Sequence, residues 1–413
     1  MKSNYKRLGR YIQEVDIRNS SQSIDLLLGV SIEKKFIPSI ANTVGTDMST
    51  YKIIRNNQFA YGPVTSRNGN KISIALLEYY NEAIISQAYT CFEICNKDEL
   101  DPHYLMMWFS RPEFDRYARY MSHGSAREIF SWEELCNVTL PVPLIDIQSE
   151  IVFEHNAVQN RIKLYNQLIE KLEATTLALY KHWFVDFEFP DKNGNPYKSS
   201  GGAMVESEFG EIPTGWRIKK IKEFANKVRS GGTPSRDEER FWNKNEIPWL
   251  KTGEVANKVL INAEEHITFE GSQFSSAKIL PINTVLIAMY GEGKTKGQSG
   301  YLRIQAAVNQ ACCAIICSNE SQSSYLYYFL RYNQRKIASL ANGGAQPNLS
   351  KELIEEITII EPEDSILKKN VFISFINYCE ILERSNLKLM SLTSLLLSKL
   401  AALETVTPEL VVA

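Results

Sequence analysis

The chain has 413 residues, 44% of them hydrophobic and 23% charged, which predicts two to four domains with real cores and excludes global disorder. Its 46 Lys and Arg face 48 Asp and Glu, a net charge of -2, which excludes a broadly cationic binder but not a local basic face. Seven cysteines without a CxxC pair read as reduced core thiols rather than a zinc site.

The N-terminus, Met1 to Arg7, is basic but has no apolar stretch behind it, so no signal peptide is expected. No run approaches the roughly 18 apolar residues of a membrane span, and a cytoplasmic location is expected. Thr65-Ser66-Arg67-Asn68-Gly69-Asn70-Lys71 is a small-residue loop with two cations. Ile72 to Leu77 and Ile84 to Ile94 have strand character, and Pro102 to Tyr120 helical character. A Gly-containing turn, His123 to Ser131, and a short strand ending at Pro143 follow. Then comes a long helix with Val158, Ile162, Tyr165, Ile169, Leu172, Thr176, Leu179 and Trp183 at alternating spacings of four and three, a heptad seam. Asp186 to Gly202, rich in Gly, Asn, Pro and Ser, reads as a link.

The second half begins with a compact basic loop, Arg229-Ser230-Gly231-Gly232-Thr233-Pro234-Ser235-Arg236, and Asp237 to Glu239 reads as a solvated turn. Thr284 to Met289 and Ala306 to Cys317 have strand character. Between them Glu292 to Arg303 carries Lys294, Lys296 and Arg303 among small residues and Gln298. Ser323 to Leu340 reads as helix, and a second long helix carries Phe375, Cys379, Leu382, Asn386, Leu389, Thr393, Leu396, Leu400 and Leu403 in the same rhythm. Each long helix spans about 50 Å at 1.5 Å per residue. A lone apolar stripe of that length needs a partner, so the two are expected to pack on each other antiparallel, with Asn386 and Thr393 helping to set register.

The two halves repeat. His123 to Ser131 resembles Asn342 to Ser350 at an offset of 219, which also carries Pro143 onto Pro362 and Ile147 onto Ile366. Ser86-Gln87-Ala88 resembles Asn309-Gln310-Ala311 at 223, Tyr104-Leu105 resembles Tyr325-Leu326 at 221, and Tyr5 to Leu8 resembles Trp216 to Lys219 at 211. The order of the matches argues for duplication, with the drift due to loop insertions.

Catalytic signatures are missing. There is no GxGxxG, P-loop, HExxH or GxSxG in a suitable context, and Tyr61-Gly62-Pro63 lacks the flanks of a methyltransferase base-binding motif. Recognition chemistry remains. Residues 211–360 hold 19 Lys and Arg against 15 Asp and Glu, whereas residues 1–140 hold 16 of each. Basic loops with small residues allow a backbone to approach phosphate, while Arg and Gln can also read base edges.

Ser230 to Ser235, Ile247-Pro248-Trp249-Leu250-Lys251-Thr252-Gly253-Glu254, Asn309-Gln310-Ala311, Gly343 to Ser350 and Pro213-Thr214-Gly215-Trp216 together resemble a target recognition domain from the specificity subunit of type I restriction-modification systems. The first half departs from that pattern, with Asp16 to Ser20 in place of the Gly-Gly-Thr-Pro opening and Glu128 where Pro347 stands. The resemblance implies an α+β fold: two globular recognition domains, residues 1–142 and 201–360, separated by two long antiparallel coiled-coil-like helices, residues 143–200 and 361–413, in a pseudo-twofold repeat. It implies a non-catalytic chain without metal that binds double-stranded DNA and reads a bipartite asymmetric target. Two modification subunits with S-adenosylmethionine and two restriction subunits using ATP and Mg2+ are the expected partners.

On that basis Arg67, Lys71, Arg229, Ser230, Lys294, Lys296 and Arg303 are the phosphate candidates, and Arg127, Arg236, Gln298 and Gln346 the base-reading candidates. Val158, Ile162, Ile169, Leu172, Leu179, Leu382, Leu389, Leu396 and Leu403 are the candidates for the spacer and partner docking. Two other readings stay open: a structural or inhibitory interaction protein that reads no DNA, and a recognition subunit derived from a fused restriction–methylation enzyme.

Overall fold

In each half a strand near the start pairs with the last one. Tyr5–Arg7 runs antiparallel to Thr139–Pro141, and Arg217–Lys220 to Thr358–Glu361. The structure, a computed structural model, describes residues 5–39, 45–66, 68–124, 128–291, 295–341, 348–369 and 371–402. The chain divides into two units, residues 1–162 with 388–413, and residues 163–387.

Unit 1 holds an antiparallel sheet in the order Ile12–Val15, Thr90–Ile94, Phe59–Tyr61, Ile74–Leu76. A second sheet runs Ile17–Arg18, Lys52–Arg55, Glu82–Ile85, Leu27–Val30, Phe36–Pro38. Unit 2 repeats the first of these sheets as Lys227–Ser230, Cys312–Ile316, Val285–Ala288, Ser299–Leu302, and adds Val259–Leu260 in parallel at the edge. Its other sheet places Trp242–Leu250 between Glu265–Ile267 and Ala307–Val308.

The strand-like runs Ile84 to Ile94 and Ala306 to Cys317 each split in two, and the pieces join different sheets. The crossing is the same tight turn in both units: Tyr89 N–H to Ser86 O at 3.1 Å, and Cys312 N–H to Asn309 O at 3.1 Å. Both turns fall on the Ser86/Asn309 match. Ser86-Gln87 and Asn309-Gln310 mark the breaks, but the apolar residues on either side read as one run because strands buried on both faces show no alternation.

Pro102 to Tyr120 is likewise two helices, Pro102–Phe109 and Pro112–Tyr120. Pro112 lacks an N–H and pushes Arg111 out of helical conformation, so one helix ends and the next begins there. Asp101 caps the first by accepting from His103 and Tyr104 N–H at 2.8 and 2.9 Å. In unit 2 Asn319 caps Glu320–Tyr332 in the same way, accepting from Gln322 N–H at 3.0 Å, and the chain breaks at Asn333 before Gln334–Ser339.

The long helices are Ile145–Phe184 and Phe372–Ala402. Every anticipated seam residue from Val158 to Trp183 and from Phe375 to Leu400 is buried or half-buried. In unit 1 Val152 and Leu400 share the core, and Gln159 Nε2 donates to Thr393 Oγ1 at 2.9 Å. In unit 2 Asn386 Nδ2 donates to Asn166 Oδ1 at 2.9 Å, and the rings of Tyr180 and Phe372 lie 6.3 Å apart. Each step of seven or fourteen along one helix is matched by the same step back along the other, so the pairing is antiparallel within each unit. No helix among the described residues is long and apolar enough to cross a membrane.

Asp186 to Gly202 is a folded segment rather than a loose link. Phe189 stacks between Tyr197 and Trp216, with centroids at 4.6 and 5.1 Å. Aromatic burial of this kind offsets the turn-forming composition that made the segment read as a connector.

Candidate nucleic-acid interface

Three of the motifs that carry the resemblance meet in unit 2. Gly231 N–H donates to Cys312 O at 3.0 Å and Gly232 N–H to Val308 O at 2.8 Å, laying the Gly-Gly-Thr-Pro segment along Val308 to Cys312. A Cβ on Gly231 would lie 2.2 Å from Asn309 O, and one on Gly232 would lie 2.0 Å from Ser276 Oγ, so the close approach requires glycine at both positions. Thr233 Oγ1 donates to Gln310 Oε1, and Thr252 Oγ1 to Asn309 Oδ1 at 3.0 Å. Trp249 Nε1 donates to Gly232 O at 2.9 Å and Trp242 Nε1 to Ser235 O at 2.8 Å. The segments 230–236, 247–254 and 309–311 are therefore one packed knot, which supports the surface above it.

Arg236 lies on that surface. Its guanidinium sits 3.6 Å from the Trp242 ring centroid and 5.1 Å from that of Trp249, and its Nη1 pairs with Glu265 Oε2 at 2.6 Å. The side chain remains 52% exposed, so a stacked, oriented cation is presented to solvent. Bonding to Arg236, followed by bonding to Lys251, holds the Glu265 carboxyl below the usual carboxylate range against the opposing effect of burial. Glu265 is the fixed anion that aims Arg236.

A second gathering occurs in both units. Phe130 N–H donates to Pro63 O at 2.9 Å, and Thr65 N–H to Glu128 O at 3.0 Å. In unit 2 Leu349 N–H donates to Met289 O at 3.0 Å. Phe130 and Leu349 are both fully buried and lie 219 positions apart. Each bond ties the flank of the end-of-domain turn to the flank of the basic loop. The two loops singled out in each half thus start from one place, although they are more than 50 residues apart in sequence.

Individual candidates divide. Arg67, Arg127, Lys294, Gln346 and Leu403 lie outside the described residues. Lys71 is exposed and pairs with Glu33 at 2.8 Å. Lys296 is half-buried in the turn before Ser299–Leu302, and Gln298 is half-buried beside it. Arg229 and Ser230 are not in a loop as expected. They form the end of strand Lys227–Ser230, paired with Ala314 and Cys313, because the basic segment begins inside the sheet.

Arg303 departs furthest from expectation. Its side chain is only 18% exposed, and it bonds to Glu380, Glu320, Asn283 and Asn377 at 2.6 to 2.9 Å. Its donors are committed within the chain, which takes it out of the phosphate candidates. Sequence reasoning also missed Arg331, whose guanidinium forks onto Glu173 at 2.9 and 3.1 Å with both side chains largely buried. A cation inside the otherwise uncharged run Ser321 to Tyr332 was the available signal.

Known proteins share motifs and fold with this chain. Residues 213–386 match the family model described as the type I restriction modification DNA specificity domain. The chain is similar to the type I restriction enzyme MjaIX specificity subunit of Methanocaldococcus jannaschii, with 25% identity over 67% of this chain and 62% of that one. It thus spans less than two thirds of that relative's length. It is also similar to the HindI specificity subunit of Haemophilus influenzae, with 21% identity over 82% of this chain and 84% of that one. The crystal structure of a type I restriction-modification S subunit from M. genitalium has the same fold, with 14% identity, a TM-score of 0.54, and 97% and 96% of the two chains covered. Residues 213–386 thus match the DNA specificity domain of type I restriction-modification systems, and the chain as a whole is similar to the specificity subunits of those systems.

Proposed function

We propose that this chain reads a bipartite, asymmetric double-stranded DNA target, one half with each globular body, and holds the modification and restriction subunits of a cytoplasmic complex on its long helices. The observation that carries the reading is the duplicated joint: in each half, a basic loop and the end-of-domain turn spring from one backbone bond, at Phe130–Pro63 and Leu349–Met289. Two such joints in one chain suit two half-sites, and the different side chains around them suit an asymmetric sequence. Arg236, stacked and exposed, serves as a base reader for the second half-site, since an oriented guanidinium can form two bonds to a guanine edge. Lys71, Lys294 and Lys296 serve as phosphate contacts that position without specifying.

The chemistry falls to the partners. Two modification subunits carry S-adenosylmethionine and methylate adenine after extruding it from the duplex, and two restriction subunits use ATP and Mg2+. Methylome sequencing of cells with and without this gene tests the reading. Loss of one bipartite methylated-adenine motif is the expected result, and an unchanged methylome with the modification subunits expressed overturns it.

A further inference from the structure

Two arginines fasten the globular part of unit 2 to the long helices, one to each. Arg303 follows the strand Ser299–Leu302. Its Nε donates to Glu380 Oε2 at 2.6 Å and its Nη2 to Asn377 Oδ1 at 2.8 Å, both on the second long helix. Its Nη1 donates to Glu320 Oε1 at 2.6 Å and Asn283 Oδ1 at 2.9 Å, both in the globular part. Glu380 is braced by Arg384 Nε at 2.8 Å. Arg331, near the end of helix Glu320–Tyr332, grips Glu173 on the first long helix with both terminal nitrogens. A step of seven from Asn166 opposite Asn386 brings Glu173 opposite Cys379, so the two grips lie at one level of the helix pair.

Two-pronged arginine bonds constrain direction as well as distance, whereas apolar packing alone tolerates tilt. Buried ion pairs contribute little net stability against an apolar alternative, and their attested use is to select one arrangement. Two forks on different helices remove rocking about either one.

We propose that Arg303 and Arg331 are positioning residues that hold the second recognition body in one orientation on the helix pair, and so hold the complex to one length of unspecified gap between half-sites. This rests on the bipartite reading. One extra base pair shifts the second half-site by about 3.4 Å and turns it by about 35° around the DNA axis. A body that cannot rock rejects that displacement; one that can rock accepts it.

The test uses the complex of the full chain with its modification subunits, on duplexes carrying both half-sites with the native gap and with one base pair more or less. The readout is the ratio of methylation kcat/KM at the native gap to that at the altered gaps. R303K keeps the charge and loses the fork. N377A/E380Q frees Arg303 from the helix and leaves its bonds to Glu320 and Asn283, so it serves if R303K folds poorly; R331K tests the other grip. In each variant the ratio falls by about tenfold, as expected for one lost charged bond, while native-gap binding changes less. An unchanged ratio overturns the proposal, as does an equal loss at all gaps, which marks a merely structural role. An unaltered complex that methylates every gap alike overturns the bipartite reading itself.

Discussion

The buried hydroxyl of Tyr104 donates to the backbone carbonyl of Pro141 at 3.0 Å. Its counterpart Tyr325 makes the same bond to the carbonyl of Ile360 in the other unit. Each bond stitches the capped helix of its half to the strand that closes the half. Burial raises the pKa of both phenols, so neither ionises in the folded chain. Tyr104→Phe and Tyr325→Phe each leave a carbonyl short of a partner in the interior and are expected to cost about 1–2 kcal/mol. Urea unfolding of each variant checks this, and an effect at only one position would break the equivalence of the halves.

Asn386 is buried in the helix seam, and its Oδ1 accepts no hydrogen bond among the described residues. Its amide bonds Asn166, which stands at the exposed edge of the seam and can return to water. Asn386→Leu is therefore expected to stabilise unit 2 by about 1 kcal/mol while weakening the preference for one register. A higher urea midpoint with an unchanged slope is the predicted outcome.

Lys294 and Lys296 follow Met289 closely in sequence, and Met289 forms the joint with Leu349. Replacing both lysines with Ala is expected to weaken binding to all duplexes alike. The slope of log affinity against log salt should fall by about one for each phosphate no longer neutralised. Arg236→Ala should instead alter sequence preference at one half-site and leave the salt slope nearly intact. Binding titrations at several salt concentrations separate the two effects.

The thiols give a check on the core. Burial pushes Cys91, Cys312, Cys313, Cys317 and Cys379 up to about 12. At pH 8 few of them are thiolates, and little reagent reaches the buried Cys91, Cys312, Cys313 and Cys379, whereas Cys317 is half-buried. Cys95 is exposed. A thiol reagent should label Cys95 rapidly and Cys91, Cys312, Cys313 and Cys379 only on unfolding, as peptide mapping would show.

Some features were legible because local chemistry dictates them. Val158 to Trp183 and Phe375 to Leu400 show a heptad rhythm, and a helix with that stripe must bury it. Matches at Tyr104/Tyr325 and Ser86/Asn309 survived because each marks a buried bond or a tight crossing that few other residues can make. Strand boundaries inside Ile84 to Ile94 and Ala306 to Cys317 were not legible, since both pieces of each run are buried and only the turn between them differs.

The basic loops show the same division. Composition pointed to Arg303 as a phosphate contact and to Arg236 as a base reader, both on the surface, yet Arg236 is stacked and exposed while Arg303 is enclosed by four partners from 17 to 77 positions away.

The sequence by itself determined the duplicated plan, the helix pair and the family resemblance, because periodicity and repeated motifs are properties of the chain. Only the tertiary structure decided which cations face outward and which lock the recognition body to its helices. A side chain's partners are set by the folded neighbours that converge on it, and no spacing along the chain encodes that convergence.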